Sequence, residues 1–236
     1  GDVYKRQTNY GFFIGATESN VEELQKAVGV PGAPIAIPGI CGIKIFMGSS
    51  TGDLLVNESD ALKTIFDNTA GLIAVHAEDE TRMDERKPLI EGRTDVAAHA
   101  EWRDDETALI ATKRAVGFAK DSGHRLHILH LTSGIEADYL ADFTSLRGID
   151  GEAHITTEVL PQHLTFNEKD VEERGTRLQM NPPIRYEQDK VTLWKRLLDG
   201  TIACIATDHA PHTMENKNLG FPKAHSGICL LYTSPS

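Results

Sequence analysis

Six short apolar runs alternate with longer stretches of helical pattern from one end of this chain to the other, and that alternation leaves few folds open. The runs "YGFFIGAT", "GIKIFMG", "GLIAVHAE", "RLHILHLT", "EAHITTEVL" and "TIACIATD" read as strands. Between them, "SNVEELQKAV", "SDALKTIFDNT", "DETALIATKRAVGFAKDSG" and "IEADYLADF" read as helices. "TESNVEEL" and "NESDALKTI" offer Ser, Thr or Asn caps followed by acidic residues, the signature of a helix start. The near-continuous apolarity of several strands predicts burial on both faces, as in a parallel sheet flanked by helices. No repeat or Pro/Ser-rich linker divides the 236 residues, so one α/β domain is implied. No GxGxxG follows a strand, and polar residues gather at strand C-terminal ends in unit after unit, which favours a (β/α)8 barrel over an open doubly wound sheet.

Charge narrows the function. A net charge of −11 with no basic cluster argues against nucleic acid or an anionic membrane surface as partner, because both are held by Lys and Arg. No apolar run approaches the roughly 20 residues of a membrane helix, and "GDVYKRQTNY" lacks the apolar core of a signal peptide. Cys41, Cys204 and Cys229 are odd in number and far apart, which fits a reducing cytoplasm better than a disulfide framework. A small-molecule substrate is the expected partner, and a homo-oligomer is left open.

The chemistry lies at the strand ends. His76 closes "GLIAVHAED", His130 closes "RLHILHLTS" and Asp208 closes "TIACIATD". Two imidazoles and a carboxylate are ligands that suit zinc. A lone strand-end histidine is more often structural, but repetition at equivalent places points to a shared site. His127 lies three residues before His130, and an odd offset along a strand turns the two side chains to opposite faces. His130 is therefore taken to face the centre, and His127 to be packed or supporting.

Lys44 in "GIKIFMG" is a cation among apolar neighbours. Two readings stand: its ammonium snorkels to the rim, or burial favours the neutral amine, which can take up carbon dioxide as a carbamate and bridge two metal ions. Asn181 and Arg185 in "MNPPIR" occupy a proline-stiffened loop that either holds ligand or is an ordinary turn, and His163 in "LPQHL" reads as structural. In "ATDHAPHTMENK", Pro211 stiffens the turn that aims His212. His209, Glu215 and Lys217 take supporting or surface roles.

Taken together, "GIKIFMGSS", "VHAED", "LHLTS", "TTEVLPQHL", "NPPIR" and "ATDHAPHTMENK" resemble, in order, the motifs of the dihydroorotases of the amidohydrolase superfamily, over roughly residues 8–228. The resemblance implies a (β/α)8 TIM-type barrel with a binuclear zinc centre. Lys44 would be its carbamylated bridging ligand, His76 and His130 would bind the second metal, and Asp208 would bind the first and act as general acid/base. Asn181 and His212 would contact substrate, with the backbone of Ser226 and Gly227 closing over it. The implied reaction is the reversible cyclisation of N-carbamoyl-L-aspartate to L-dihydroorotate in pyrimidine biosynthesis. A hydantoinase- or allantoinase-like cyclic amidohydrolase is the alternative, and so is a non-catalytic subunit supporting aspartate transcarbamoylase. The strand bearing His-x-His and a substrate-binding arginine, with which this family begins, has no counterpart here. The expectation is an incomplete barrel of about six βα units lacking the first two, inactive as it stands. Residues 1–7 and 229–236 fit neither the pattern nor a helix and are expected to be artificial ends.

Overall fold

The computed structural model of the protein describes residues 9–33, 36–48, 54–143 and 154–230. Residues 1–7 and 231–236, which hold most of the two expected artificial ends, lie outside the described residues, as does Thr8, where the barrel domain was taken to start.

Six strands form a single parallel sheet in the order of the sequence: β1 (Phe12–Gly15), β2 (Ile40–Phe46), β3 (Leu72–His76), β4 (Arg125–Leu131), β5 (Ile155–Val159) and β6 (Cys204–Ile205). Each is followed by at least one helix, from α1 (Val21–Val28) and α2 (Ser59–Asn68) to α3 (Glu80–Arg86), α4 (Ala97–Trp102) and α5 (Asp105–Ser122). Beyond these come α6 (Gly134–Leu140), α7 (Pro161–Thr165), α8 (Glu168–Arg174), α9 (Glu187–Leu198) and α10 (Met214–Lys217). Sequential parallel strands with helices between them are the arc of a (β/α) barrel. Among the described residues the arc is open, with β1 and β6 as its edges.

The main core lies between the sheet and the helices. Ile43 and Ile45 of β2, Ile73 and Val75 of β3, Leu126 and Ile128 of β4, and Ile155 and Val159 of β5 are all buried there against Leu24, Leu62, Phe66, Ala115 and Leu193. The opposite, concave face departs from the sequence reading. Lys44, Phe46, His127, Thr156 and Glu158 alternate with the apolar set and are half-buried, so the strands are two-faced rather than apolar throughout. Short strand ends mislead here, because one or two polar residues in a run of seven leave its mean apolarity high.

Helix starts are set locally. Asp104 caps α5 by accepting from Thr107 N at 2.9 Å, and the helix ends at Gly123, whose φ of 72° is the left-handed conformation glycine adopts without cost. The caps expected for α1 and α2 are not made in that form. Asn20 turns outward to accept from Thr17 N at 2.8 Å and to donate to Gly15 O, and Glu58 makes no cap bond at α2. A smaller apolar cluster of Leu160, Val171, Leu178, Met180 and Ile184 supports the loops at the strand C-terminal side.

Candidate active site

Two strand ends run directly into helix caps. After His76 come Ala77, Glu78 and Asp79, and Asp79 caps α3 by accepting from Arg82 N at 2.9 Å. After His130 come Leu131, Thr132 and Ser133, and Ser133 caps α6. The two imidazoles are thereby pinned between a sheet register on one side and a helix start on the other.

They meet. His76 Nδ1 lies 3.0 Å from His130 Nε2, with the rings edge to face and both buried. His76 Nε2 donates to Glu78 Oε2 at 2.7 Å, since a carboxylate can only accept. Nδ1 of His76 therefore bears the lone pair that faces His130. Glu78 is fully buried and receives a second bond, 2.6 Å, from Arg103 Nη1. Burial alone would raise its carboxyl, but Arg103 and His76 overcome that and hold it at about 2. Desolvation lowers His76 and lowers His130 well below the usual histidine range, so both rings are neutral at pH 7.

The opposite-faces argument for His127 and His130 does not hold. His130 has a φ of 37°, and the pairing of β4 with β5 is irregular between Ile128 and Leu131. The bulge resets the alternation, so His130 reaches His76 while His127 also faces the concave side, on Thr156 and Glu158. Asp208 has a φ of 44°, and among the described residues these two are the non-glycines with positive φ. Such conformations cost of order 1–3 kcal/mol each and cluster where a side chain must be aimed.

Lys44 lies on the concave face of β2 with its Nζ 4.5 Å from the centre of the Phe46 ring. Desolvation lowers it to about 8, against the pull of Asp208 and Glu158. Asp208 follows β6 and is exposed; desolvation raises it, while Lys44 and His76 oppose the rise. Lys44 and Asp208 feel each other's charge and that of His76, but the structure joins only His76 and His130 by a direct contact.

Of the residues expected to contact substrate, His212, Ser226 and Gly227 come together in one wall. His212 Nε2 donates to Ser226 O at 3.0 Å, Ala210 N donates to Ile228 O, and Gly227 N donates to Gln179 O. Gly227 has a φ of 143°, and a Cβ there would meet Ala210 O at 2.4 Å, so only glycine lets the two segments close. Asn181 is two residues beyond Gln179, and its Oδ1 accepts from His99 Nε2 at 3.0 Å. Arg185 is buried and donates to Thr132 Oγ1 and Arg103 O, which makes it a strut behind the site. His163 is buried against Pro182 O, the structural role expected of it.

Sequence reasoning missed Glu78, although it was in view in "VHAED"; its place two residues beyond a strand-end histidine was the available signal. It also missed His99 and Arg103, which no local pattern marks. Lys217 is neither solvated nor at the surface: its Nζ donates to the carbonyls of Gln179, His225 and Gly227, tying down the wall.

The residues fit a metal ion. The 3.0 Å between His76 Nδ1 and His130 Nε2 is close to the spacing of two imidazoles on one ion with bonds of about 2.0–2.1 Å. Glu78 on the outer nitrogen of His76 is the carboxylate that orients a ligating histidine.

No family model matches the chain. Curated relatives do. A dihydroorotase of Halobacterium salinarum is 32% identical over 190 residues, 78% of this chain and 41% of the relative. An allantoinase of Streptomyces avermitilis is 32% identical over 235 residues, 98% of this chain and 49% of the relative. Among solved structures, an L-hydantoinase of Arthrobacter aurescens superposes with a TM-score of 0.83 at 26% identity, over 96% of this chain and 49% of its own. The chain belongs to the cyclic amidohydrolases. Its barrel arc is that of this family. The cyclic amidohydrolase chain spans about half the length of the relatives it matches. Among the described residues no helix is long and apolar enough to cross a membrane.

Proposed function

We propose that the protein containing this chain is a dihydroorotase, which interconverts N-carbamoyl-L-aspartate and L-dihydroorotate in pyrimidine biosynthesis. The observation that carries this reading is the buried His76–His130 pair, backed by Glu78 and close enough to Lys44 and Asp208 for their charges to act on His76 or be acted on by it. His76 and His130 would hold one ion, Asp208 the other, and Lys44 would bridge them as a carbamate. Bound zinc lowers the pKa of water to about 7 and polarises an amide carbonyl.

The chain's own residues do the remaining work. Glu78 keeps the proton of His76 on Nε2 and leaves Nδ1 free to donate its lone pair. Lys44, held at about 8, is neutral in roughly one molecule in ten at pH 7, and that amine can add to carbon dioxide with release of one proton. Asp208 is exposed towards substrate, and desolvation raises its basicity. It takes the proton of the attacking water and returns it to the ring nitrogen as the amide opens. Asn181 and the wall of His212, Ser226 and Gly227 support the substrate, with Gly227 permitting the close approach. The wide spacing of Cys41, Cys204 and Cys229 fits a reducing cytoplasm.

A hydantoinase- or allantoinase-like activity is the second reading, favoured by the long match to the Streptomyces allantoinase. Measuring hydrolysis of L-dihydroorotate, hydantoin and allantoin by the protein at the length of its relatives decides between them. Dihydroorotate is expected to be turned over at least a hundredfold faster than the other two, with loss of activity on chelation. Preference for either competitor would overturn the dihydroorotase assignment, and no turnover of any of the three would favour the scaffold subunit.

A further inference from the structure

The concave face holds a second cluster of ligand atoms, one step below the strand-end rim. His127 of β4, Glu158 of β5 and Cys204 of β6 come from three adjacent strands, with Glu158 and Cys204 directly paired across the β5–β6 register. Each offers a ligand atom, and these atoms lie within 4.8 Å of one another.

Thr156 Oγ1 lies 2.8 Å from His127 Nδ1, where its hydroxyl either donates to the ring or accepts from it, and 3.4 Å from Leu126 O. When the ring proton sits on Nδ1, Nε2 presents a lone pair. That nitrogen lies 3.1 Å from Glu158 Oε2, so a ring proton or a cation between them satisfies the carboxylate. Two ligands on one zinc ion, at about 2.0–2.2 Å each, are separated by about this distance. Thr156 thus stands to His127 as Glu78 stands to His76, orienting the ring from its far side.

We propose that His127, Glu158 and Cys204 bind a borderline divalent cation such as zinc or cobalt, at a site that adjoins the strand-end centre through Glu158, whose Oε1 accepts from His130 N at 3.2 Å. Nitrogen, oxygen and sulfur donors together select such metals over magnesium or calcium. The Cys204 side chain is exposed and can turn towards the ion, bringing its sulfur from the present spread to the roughly 3.3–3.8 Å that separates donors around a tetrahedral ion. On binding, the thiol proton passes to solvent and the sulfur coordinates as thiolate.

Cobalt(II) titration of the 236-residue chain tests this, because only a sulfur ligand gives the near-ultraviolet sulfur-to-cobalt charge-transfer band, and the strand-end centre has none. The band is expected in the native chain and in a Cys41→Ser/Cys229→Ser variant, absent in Cys204→Ser, and shifted to at least tenfold weaker affinity in His127→Gln. Its absence from the native chain at saturating cobalt, or its survival in Cys204→Ser, overturns the site. A second measurement needs no variant: zinc should slow alkylation of Cys204 at least tenfold and leave Cys41 and Cys229 unchanged. Equal rates at Cys204 with and without zinc overturn the site equally.

Discussion

His130 and Asp208 carry the backbone strain of the described chain, and both are strand-end residues with side chains that matter. A left-handed conformation costs a residue with a Cβ about 1–2 kcal/mol that glycine avoids. His130→Ala should therefore be less stable than His130→Gly by about 1 kcal/mol, the reverse of the usual order inside a strand, when both are unfolded in urea. Equal stabilities would mean the φ of 37° is not imposed by the fold. Glu78 makes a different kind of demand. Replacing it by Gln removes the charge from a buried pair with Arg103 and should cost about 3–5 kcal/mol in the same experiment, with zinc affinity falling 10–100-fold in calorimetry. At this scale the sequence was legible wherever a residue type was unusual for its place, as with Lys44 in an apolar strand and His76 and His130 at strand ends. It was illegible where a residue acts through a distant partner. Arg103 reaches Glu78 from 25 positions away, and no local pattern announces that.

Among the elements, the strand cores and α1, α2, α5 and α6 were legible, because a period of two and a period of 3.6 are written in the burial of Ile43 and Ile45 or of α5, whereas α3, α4 and α7 to α10 were not named and the run "TIACIATD" narrows to Cys204–Ile205. The bulge in β4 was not legible, since its cause is a backbone angle rather than a composition. That single irregularity defeated the argument that His127 and His130 must face apart. Between α5 and α6, buried Glu136 accepts from Thr112 and Ser133 at 2.6 and 3.0 Å, and burial raises its carboxyl to about 7. The folded chain thus keeps a proton that the unfolded chain releases near 4.5. Stability should fall as pH rises from about 4.5 to 7, with a full cost on the order of 3 kcal/mol above that range. Glu136→Gln should remove the slope, leaving the variant more stable than the native chain at pH 8 and no more stable at pH 4. A native chain with a flat profile over this interval would contradict the assignment.

Among the described residues two sheet edges are open, with Phe12 and Phe13 exposed on β1 and Ile205 exposed on β6. Unpaired edges of this kind recruit other strands. Self-association should grow with concentration in light scattering, and Ile205→Lys should suppress it severalfold; an unchanged profile would remove β6 as the contact. The order of the sheet has one more consequence. Among the described residues each strand pairs with its sequence neighbours, so none of these pairings has to wait for a distant part of the chain. Low sequence separation between partners favours rapid folding. A nascent chain emerging from the ribosome could lay down this arc one unit at a time, His76 docked before His130 exists to meet it.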